Sequence, residues 1–312
     1  MRRHGVNALA VAAAWVSCLP GDTRPPPARV DVTARATQAT RDGFVTSDGW
    51  TLTFERVAMG IGDVDIDGED CTDYGRADYQ WLIDFELAAE EKVGTVYGLG
   101  TCTLKFQVRV PSLTRTVNGA GATDALFSRM RELDSDFWEI QSRSAVIVAG
   151  RASRDDVTKT FDWALRRGHE YYRCPRADGS GNLDVLRLEE PVRINRRVEI
   201  RAEELFRLTP SDDAPFVFDP YADADCNDDG VITVNELATV KIEDIEGAGG
   251  SDPGRPNGGI GGVGGFTVCS VSDTSVDYDT LGDRVYRDLL PRIARLADGE
   301  ACLPDVAYED DD

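Results

Sequence analysis

Histidine is nearly absent from this sequence, which holds only 2 among 312 residues. One of them, His4, lies in the first few residues, so a metal site built from several histidines is excluded. A Ser-His-Asp triad would depend on His169 alone, and a surface histidine at a strand end is the simpler interpretation of that residue. The sequence therefore indicates no His-based catalytic site.

Positive charge is also scarce, and the net charge is -22. A field of that sign repels phosphate backbones, so we expect no nucleic-acid partner, and it attracts divalent cations. We interpret the basic stretch 193–201 as a solvated strand face rather than a sulfate or phosphate site. The preference for arginine over lysine indicates a GC-rich bacterial genome. Lysine occurs only at Lys92, Lys105, Lys159 and Lys241.

The apolar run near the N-terminus is too short to cross a bilayer core of ~30 Å as a helix. The first residues, MRRHGVNALAVAAAWVSC, combine two arginines, a short apolar run and a small residue before a cysteine, which predicts a secretory signal peptide over 1–17. The stretch 15–18 resembles a bacterial lipobox, although Trp15 stands where leucine is usual. That resemblance implies a lipidated Cys18 and, because Leu19 follows, an outer-membrane anchor. Cleavage by the ordinary signal peptidase is the alternative.

Cysteine spacing shows no CxxC motif, which argues against a redox or zinc site. Six cysteines remain beside Cys18, an even number that predicts disulfides in an exported chain and permits 15 pairings. We expect Cys71 to pair with Cys102, because these positions bracket two consecutive strands. For the rest, the expected pairs are Cys226 with Cys269, across a glycine-rich stretch, and Cys174 with Cys302.

Alternation of apolar and polar residues dominates 43–205 and predicts half-buried antiparallel strands, hence a mainly β fold, an antiparallel β-sandwich with a few short helices. In 50–66 the apolar phase changes twice, which predicts bulges. Helices are expected over 123–133 and over 278–299, the second bent at Pro291. The patterns that predict strands with one buried face are Tyr79 to Leu87, Cys102 to Val110, Phe161 to Leu165 and Val192 to Ile200.

Composition sets the other boundaries. Residues 18–42 are rich in proline, threonine and charge, which predicts an extended, lipid-anchored tether. Residues 247–266 are glycine-rich and predict a flexible loop, and 267–312 are expected to supply a strand and a helix that pack back on the core. Between the β core and the glycine-rich loop lies 206–246, whose central feature is DCNDDGVITVNE at 225–236.

The loop 225–236 places oxygen-bearing side chains at alternate positions, as a hard cation such as Ca²⁺ requires. It matches the pattern D-x-[DN]-x-[DN]-G-x5-E at every defined position. Gly230 allows the sharp turn, Ile232 supplies an apolar anchor, and Cys226 and Asp228 are expected to point away from the ion. The predicted Ca²⁺ ligands are Asp225, Asn227, Asp229, the carbonyl of Val231, Thr233 and Glu236.

This motif resembles an EF-hand, with a loop and exit helix similar to half of a dockerin. Pro215 and Pro220 leave room for at most about one turn of entering helix, and a second hand is missing. A dockerin function is therefore not expected. Unpaired, the loop is expected to bind calcium weakly, with Kd of ~10⁻⁴–10⁻³ M. Two look-alikes, 63–74 and 178–189, each lack a required residue and predict turns.

Taken whole, the chain resembles uncharacterised lipoproteins of GC-rich Gram-negative bacteria that pair a β domain with one such loop. We expect an exported lipoprotein at the outer membrane, the cell surface or the periplasm, with calcium ordering residues 219–241 of a non-catalytic binding or structural module. A secreted glycan hydrolase with a supporting calcium is the alternative, and it predicts a cleft with two carboxyl groups ~5–9.5 Å apart. An adhesin-like binder would show an exposed apolar patch. The protein or glycan partner is not specified.

Overall fold

The computed structural model describes residues 25–76, 79–133, 143–247 and 280–307. The predicted signal peptide 1–17, Cys18, Cys269 and nearly all of the predicted glycine-rich loop 247–266 lie outside these residues. The helices are α1 (Gln38–Asp42), α2 (Asp124–Arg131), α3 (Asp219–Ala222), α4 (Val234–Leu237), α5 (Ile242–Gly247) and α6 (Leu281–Arg284). Two 3₁₀ turns cover Ala202–Phe206 and Leu290–Arg292, and a π turn covers Val285–Leu289.

The described part of the chain is mainly β, as predicted. Its strands are β1 (Ala28–Ala36), β2 (Phe44–Val45), β3 (Thr51–Asp67), β4 (Cys71–Arg76), β5 (Gln80–Asp84), β6 (Glu91–Arg109), β7 (Thr116–Asn118), β8 (Val146–Arg154), β9 (Val157–Leu165), β10 (Gly168–Tyr172), β11 (Val185–Leu188), β12 (Arg193–Ile200), β13 (Val231–Ile232), β14 (Ala294–Leu296) and β15 (Leu303–Ala307).

All of these strands join one curled sheet whose main path runs β13-β9-β8-β3-β6-β1-β12-β14. The long strands β3 and β6 are its centre, because each binds several partners along its length. Pairing is mostly antiparallel, but β1 with β12, β5 with β7, and β13 with β9 are parallel. The expected two-layer arrangement therefore takes the form of a single branched and curled sheet.

Strand β3 contains the predicted bulges. Its register shifts between Phe54 and Arg56 against β8, and between Gly62 and Asp65 against β6. Each shift turns the apolar side chains to the other parity, so Leu52, Val57 and Val64 are all buried although their positions alternate in phase. The changes of phase in the sequence therefore mark bends in one continuous strand.

Simple alternation holds in β6 and β9 but fails in β5. Cys102, Leu104, Phe106, Val108 and Val110 all lie on one buried face, as predicted. By contrast, the predicted strand from Tyr79 to Leu87 ends at Asp84, and Leu87 is 66% exposed. Both Leu82 and Ile83 are fully buried, because β5 packs against α2 on one side and the main core on the other.

The predicted tether 18–42 was wrong from residue 28 onward, because β1 is a central strand between β6 and β12. Its even positions, Val30, Val32, Ala34 and Ala36, are buried but small, while charged residues occupy several odd positions. The average composition of the segment therefore looks like that of a tether. Helix α1 follows directly, and its Thr40 hydroxyl donates to the buried carboxylate of Glu203.

The C-terminal helix predicted over 278–299 was also wrong in part. Its apolar stripe is buried throughout, but the helical turns end at Arg292, just after Pro291, and Ala294–Leu296 pairs with β12 as a strand. Proline lacks the backbone N–H that a continuing helix needs, so the chain leaves the helical path there. The helix predicted over 123–133 is present as α2, with Thr123 as its N-cap.

A buried carboxylate, Glu204, ties this C-terminal segment to the core. Four guanidinium groups lie within 3.3 Å of its oxygens, contributed by Arg201, Arg207, Arg292 and Arg295. Burial raises the pKa of Glu204, but the hydrogen bond from Arg207 and the surrounding positive charges lower it further, so the net shift is downward. The carboxylate is therefore ionised and holds the arginines in place.

A layer of aromatic rings joins the sheet to the segment after Ala202. We call Phe161, Trp163, Phe206, Phe218 and Tyr221 the aromatic layer. The ring centroids of Phe161 and Trp163 on β9 lie 4.8 Å apart, and Trp163 stacks on Tyr221 at 5.9 Å. All five side chains are at most 2% exposed. Nearly all of their apolar surface is therefore removed from water, which stabilises the folded state.

Two of the predicted disulfides are present, Cys71 with Cys102 and Cys174 with Cys302. Cys226 is also disulfide-bonded, and its predicted partner Cys269 lies outside the described residues. Disulfides persist in oxidising compartments, so these bridges are consistent with export.

Removing the bridge between Cys174 and Cys302, as a double serine variant, should cost about 4–5 kcal/mol of unfolding free energy, since it closes 128 residues. The bridge between Cys71 and Cys102 closes only 31 residues. Its removal in the matched double serine variant should therefore cost about 1 kcal/mol less unfolding free energy. Urea unfolding of both variants measures the difference. A larger loss from the shorter loop would contradict the chain-entropy explanation.

Candidate metal centre

The loop 225–236 follows one turn of helix, α3, and leads into another, α4. Pro220 stands in the first turn of α3, so the entering helix is as short as the sequence predicts. Helix α4 ends at Leu237, and α5 follows from Ile242. The loop is thus held by its own hydrogen bonds and by the sheet rather than between two long helices.

Asp225 is the centre of the first half of the loop. Its carboxylate is inaccessible to solvent, with a side-chain exposure of 0%. The backbone amides of Asp229 and Gly230 donate to it at 3.2 and 2.9 Å. Gly230 has φ of 81°, which favours glycine, so the chain turns tightly around this carboxylate.

The other side chains of the first half contact one another. The side-chain oxygen of Asn227 accepts from the amide of Asp229 at 2.9 Å, and the side-chain nitrogen of Asn227 donates to the Asp229 carboxylate at 3.1 Å. The amide of Val231 donates to the other oxygen of Asp229 at 2.8 Å. Four of the predicted ligand residues, counting Asp225, are therefore brought together.

Thr233 and Glu236 form a capping box at the start of α4. One oxygen of Glu236 accepts from the amide and the hydroxyl of Thr233, at 2.7 and 2.9 Å. Glu236 is only 2% exposed, and no lysine or arginine of the described segments lies within ion-pair distance of it. The prediction that Cys226 points away from the ligands was wrong, because its Sγ lies 3.7 Å from the second Glu236 oxygen.

The structure does not assemble these groups into one cluster: among the described residues, no three His, Cys, Asp or Glu side chains are grouped to hold a metal. The residues nevertheless fit a calcium ion by their chemistry. The predicted ligands are all oxygens, which Ca²⁺ prefers. Two of the predicted carboxylate ligands, Asp225 and Glu236, are buried. Among the described residues Lys159 pairs with Asp225 but not with Glu236, and a buried carboxylate without a cation is costly.

The loop is attached to the edge of the sheet. Strand β13 pairs in parallel with β9, with Ile232 opposite Phe161. Ile232 is fully buried, as predicted for an anchor, and its carbonyl accepts from the indole N–H of Trp163 at 2.8 Å. The amide of Thr160 donates to the carbonyl of Gly230 at 2.8 Å. The loop is therefore fastened to an existing strand.

Lys159 is a residue at this site that the sequence did not indicate. It lies on β9, and its Nζ is 2.5 Å from Asp225 and 3.4 Å from Asp228. Partial burial lowers the pKa of Lys159, but the hydrogen bond and charge of Asp225 and then of Asp228 raise it further, so the net shift is upward. No spacing rule links residue 159 to the loop. Only the pairing of β13 with β9 brings them together.

Two other features concern the alternative catalytic interpretations, the residue His169 and a surface cleft. His169 lies on β10 and is 5% exposed, so its interpretation as a surface residue was wrong. A cleft of about 340 Å³ is lined by Asp67 and Asp184, among others. Asp67 pairs with Lys105 at 2.5 Å, and both oxygens of Asp184 accept from backbone amides. These bonds do not favour the paired carboxylates that a glycan hydrolase needs.

Replacing Trp163 with Phe should cost about 0.5–1.5 kcal/mol of unfolding free energy beyond the loss of ring volume, because the hydrogen bond from the indole N–H to the carbonyl of Ile232 is lost. Trp81→Phe is the matched control, since the buried Trp81 Nε1 has no hydrogen-bond partner among the described residues. Urea unfolding measures both. Equal losses in the two variants would show that the indole bond does not hold the loop.

The stability contribution of His169 should depend on pH. Burial, and then the charge of Arg167, lower the pKa of His169 from 6.5 to about 4. Between pH 6.5 and pH 4, His169 is protonated in the unfolded chain but neutral in the folded chain. The free energy of unfolding therefore falls as the pH drops through this range. Between pH 7 and pH 4, the unfolding free energy of His169→Phe should therefore fall by about 3 kcal/mol less than that of the parent chain. Parallel pH profiles would refute this assignment.

Comparison with family models, curated proteins and solved structures found no match to this chain. No helix in the described segments is long and apolar enough to cross a membrane.

Proposed function

We propose that this protein binds one calcium ion in the loop 225–236, and that the ion is structural in a non-catalytic binding or structural module. The proposed ligands are Asp225, Asn227, Asp229, the carbonyl of Val231, Thr233 and Glu236, the same residues that the motif indicates. Calcium would supply two positive charges and would coordinate several oxygen ligands at once. The chain supplies the oxygens and the turn that presents them.

Glu236 is the observation that carries this proposal. Its carboxylate is almost completely buried, yet it has hydrogen bonds only, and no basic partner within the described residues. A buried carboxylate is ordinarily paired with a cation or coordinated to a metal, because desolvation of the lone charge is unfavourable. The position of Glu236 as the closing residue of the motif makes a bound cation the simplest partner.

The contacts of the loop favour a structural role over a switch. In a switch, calcium moves helices and exposes an apolar groove. Here α3 and α4 are single turns, and Ile232 is buried against β9. We therefore propose that calcium tightens 219–241 against the sheet, with weak affinity of ~10⁻⁴–10⁻³ M.

We further propose an exported protein that is held at the outer membrane through a lipidated Cys18. The lipobox-like sequence 15–18 and the disulfides support this location. The segment between Cys18 and β1 is then the spacer, so the folded part would stand about ten residues from the lipid. A protein or glycan partner at the surface is compatible with this location.

Isothermal titration of the mature chain with calcium chloride tests the proposal. We expect binding of one ion with Kd near the millimolar range, and complete loss of the binding heat in Glu236→Gln, which keeps the size of the side chain but removes its charge. Millimolar calcium should also raise the Tm of the parent chain, since the ion binds only the folded state.

Glu190→Gln is the matched control, because Glu190 is exposed and its replacement removes the same charge from the chain. This control variant should bind calcium as the parent chain does. If the parent chain and Glu236→Gln give the same heats at millimolar calcium, the proposed site does not exist.

A further inference from the structure

We propose that Lys159 lowers the calcium affinity of the loop. Its ammonium is the counter-ion of Asp225 when calcium is absent, and its positive charge repels calcium when the ion binds. This inference rests on the proposed function and adds a residue that lies outside the motif. It assigns to β9 a role in tuning the site as well as in anchoring it.

The position of Lys159 is the first support. Its Nζ lies 2.5 Å from an oxygen of Asp225, the first predicted ligand, and its side chain is only 12% exposed. The same oxygen of Asp225 accepts the amide of Gly230 at 2.9 Å. The ammonium therefore belongs to the hydrogen-bonded turn of the loop and is not a mobile surface charge.

The charge balance is the second support. The Asp225 side chain is completely buried, so without a cation its charge would be stabilised only by the two backbone amides that donate to it. Lys159 supplies one positive charge to that carboxylate and, at 3.4 Å, to Asp228. A loop held in this way stays folded without calcium, whereas the calcium ion must bind beside an existing positive charge.

Two consequences follow for the energetics. Removing the ammonium should destabilise the calcium-free protein, because Asp225 loses its partner. The same change should strengthen calcium binding for two reasons. The calcium ion is no longer repelled by a neighbouring positive charge, and the Asp225 carboxylate no longer has to break an ion pair with Lys159 before it can bind the ion. An ordinary ion pair on the surface would produce only the first effect, and weakly.

The experiment uses the mature chain with Lys159→Met, which keeps the length of the side chain and removes its charge. We expect calcium titration to give a Kd at least roughly tenfold lower than in the parent chain, equivalent to about 1.4 kcal/mol. In chelator, the Tm of Lys159→Met should fall by about 5 °C or more, and saturating calcium should restore it.

Lys105→Met is the matched control. Lys105 also forms an ion pair at 2.5 Å, with Asp67, in a partly buried position away from the loop. This variant should bind calcium with the parent affinity. A change in affinity similar to that of Lys159→Met would mean that net charge alone is responsible, and the inference would fall.

The remaining outcomes separate the two proposals. If all variants bind calcium equally, Lys159 does not tune the site, although the calcium function stands. If Lys159→Met is less stable in chelator and calcium neither binds nor restores it, the calcium function falls and takes the inference with it. An unchanged Tm in chelator would show that Lys159 is not the counter-ion of Asp225.

Discussion

The aromatic layer is the contact on which the remaining structure depends. Phe161 and Trp163 project from β9, and Phe206, Phe218 and Tyr221 close over them from the segment that leads to the loop. This one layer buries the inner face of the sheet edge and fixes the path of the chain into the loop. Because so much apolar surface is shared, the sheet and the loop should unfold as one cooperative unit. The loop is therefore anchored to the core through Ile232.

That attachment determines what the loop can do with a cation. Strand β13 pairs with β9, which is itself hydrogen-bonded to β8 on its other side. We expect a strand that is held on both sides to stay in place when a ligand binds. The same strand carries Lys159 to the Asp225 carboxylate, so one element supplies the anchor and the competing charge. Under the proposed function, calcium would add stability to an arrangement that these contacts already hold. Glu204 and its arginines stabilise the chain around Ala202–Phe206.

The sequence was sufficient where the information is local. Apolar alternation in β6 and the two changes of phase in β3 each depend on neighbouring residues, and the structure follows them. The ligand spacing of 225–236 is equally local, and its role in binding calcium stays a prediction. The sequence was insufficient where side-chain size or distant pairing decides. Small residues such as Ala34 hid the central position of β1, and Pro291 ended a stripe that continues as strand β14. Lys159 meets Asp225 across 66 positions, which no local pattern reports.

The central claim is that Glu236 is the closing ligand of a calcium ion. The most direct measurement is a crystal structure of the mature chain grown in millimolar calcium chloride, with anomalous diffraction to locate the ion. We expect one calcium peak in the loop, with both oxygens of Glu236 at about 2.3–2.6 Å from it. A loop with no peak, in which Glu236 still caps α4 through Thr233, would show that Glu236 is not a calcium ligand.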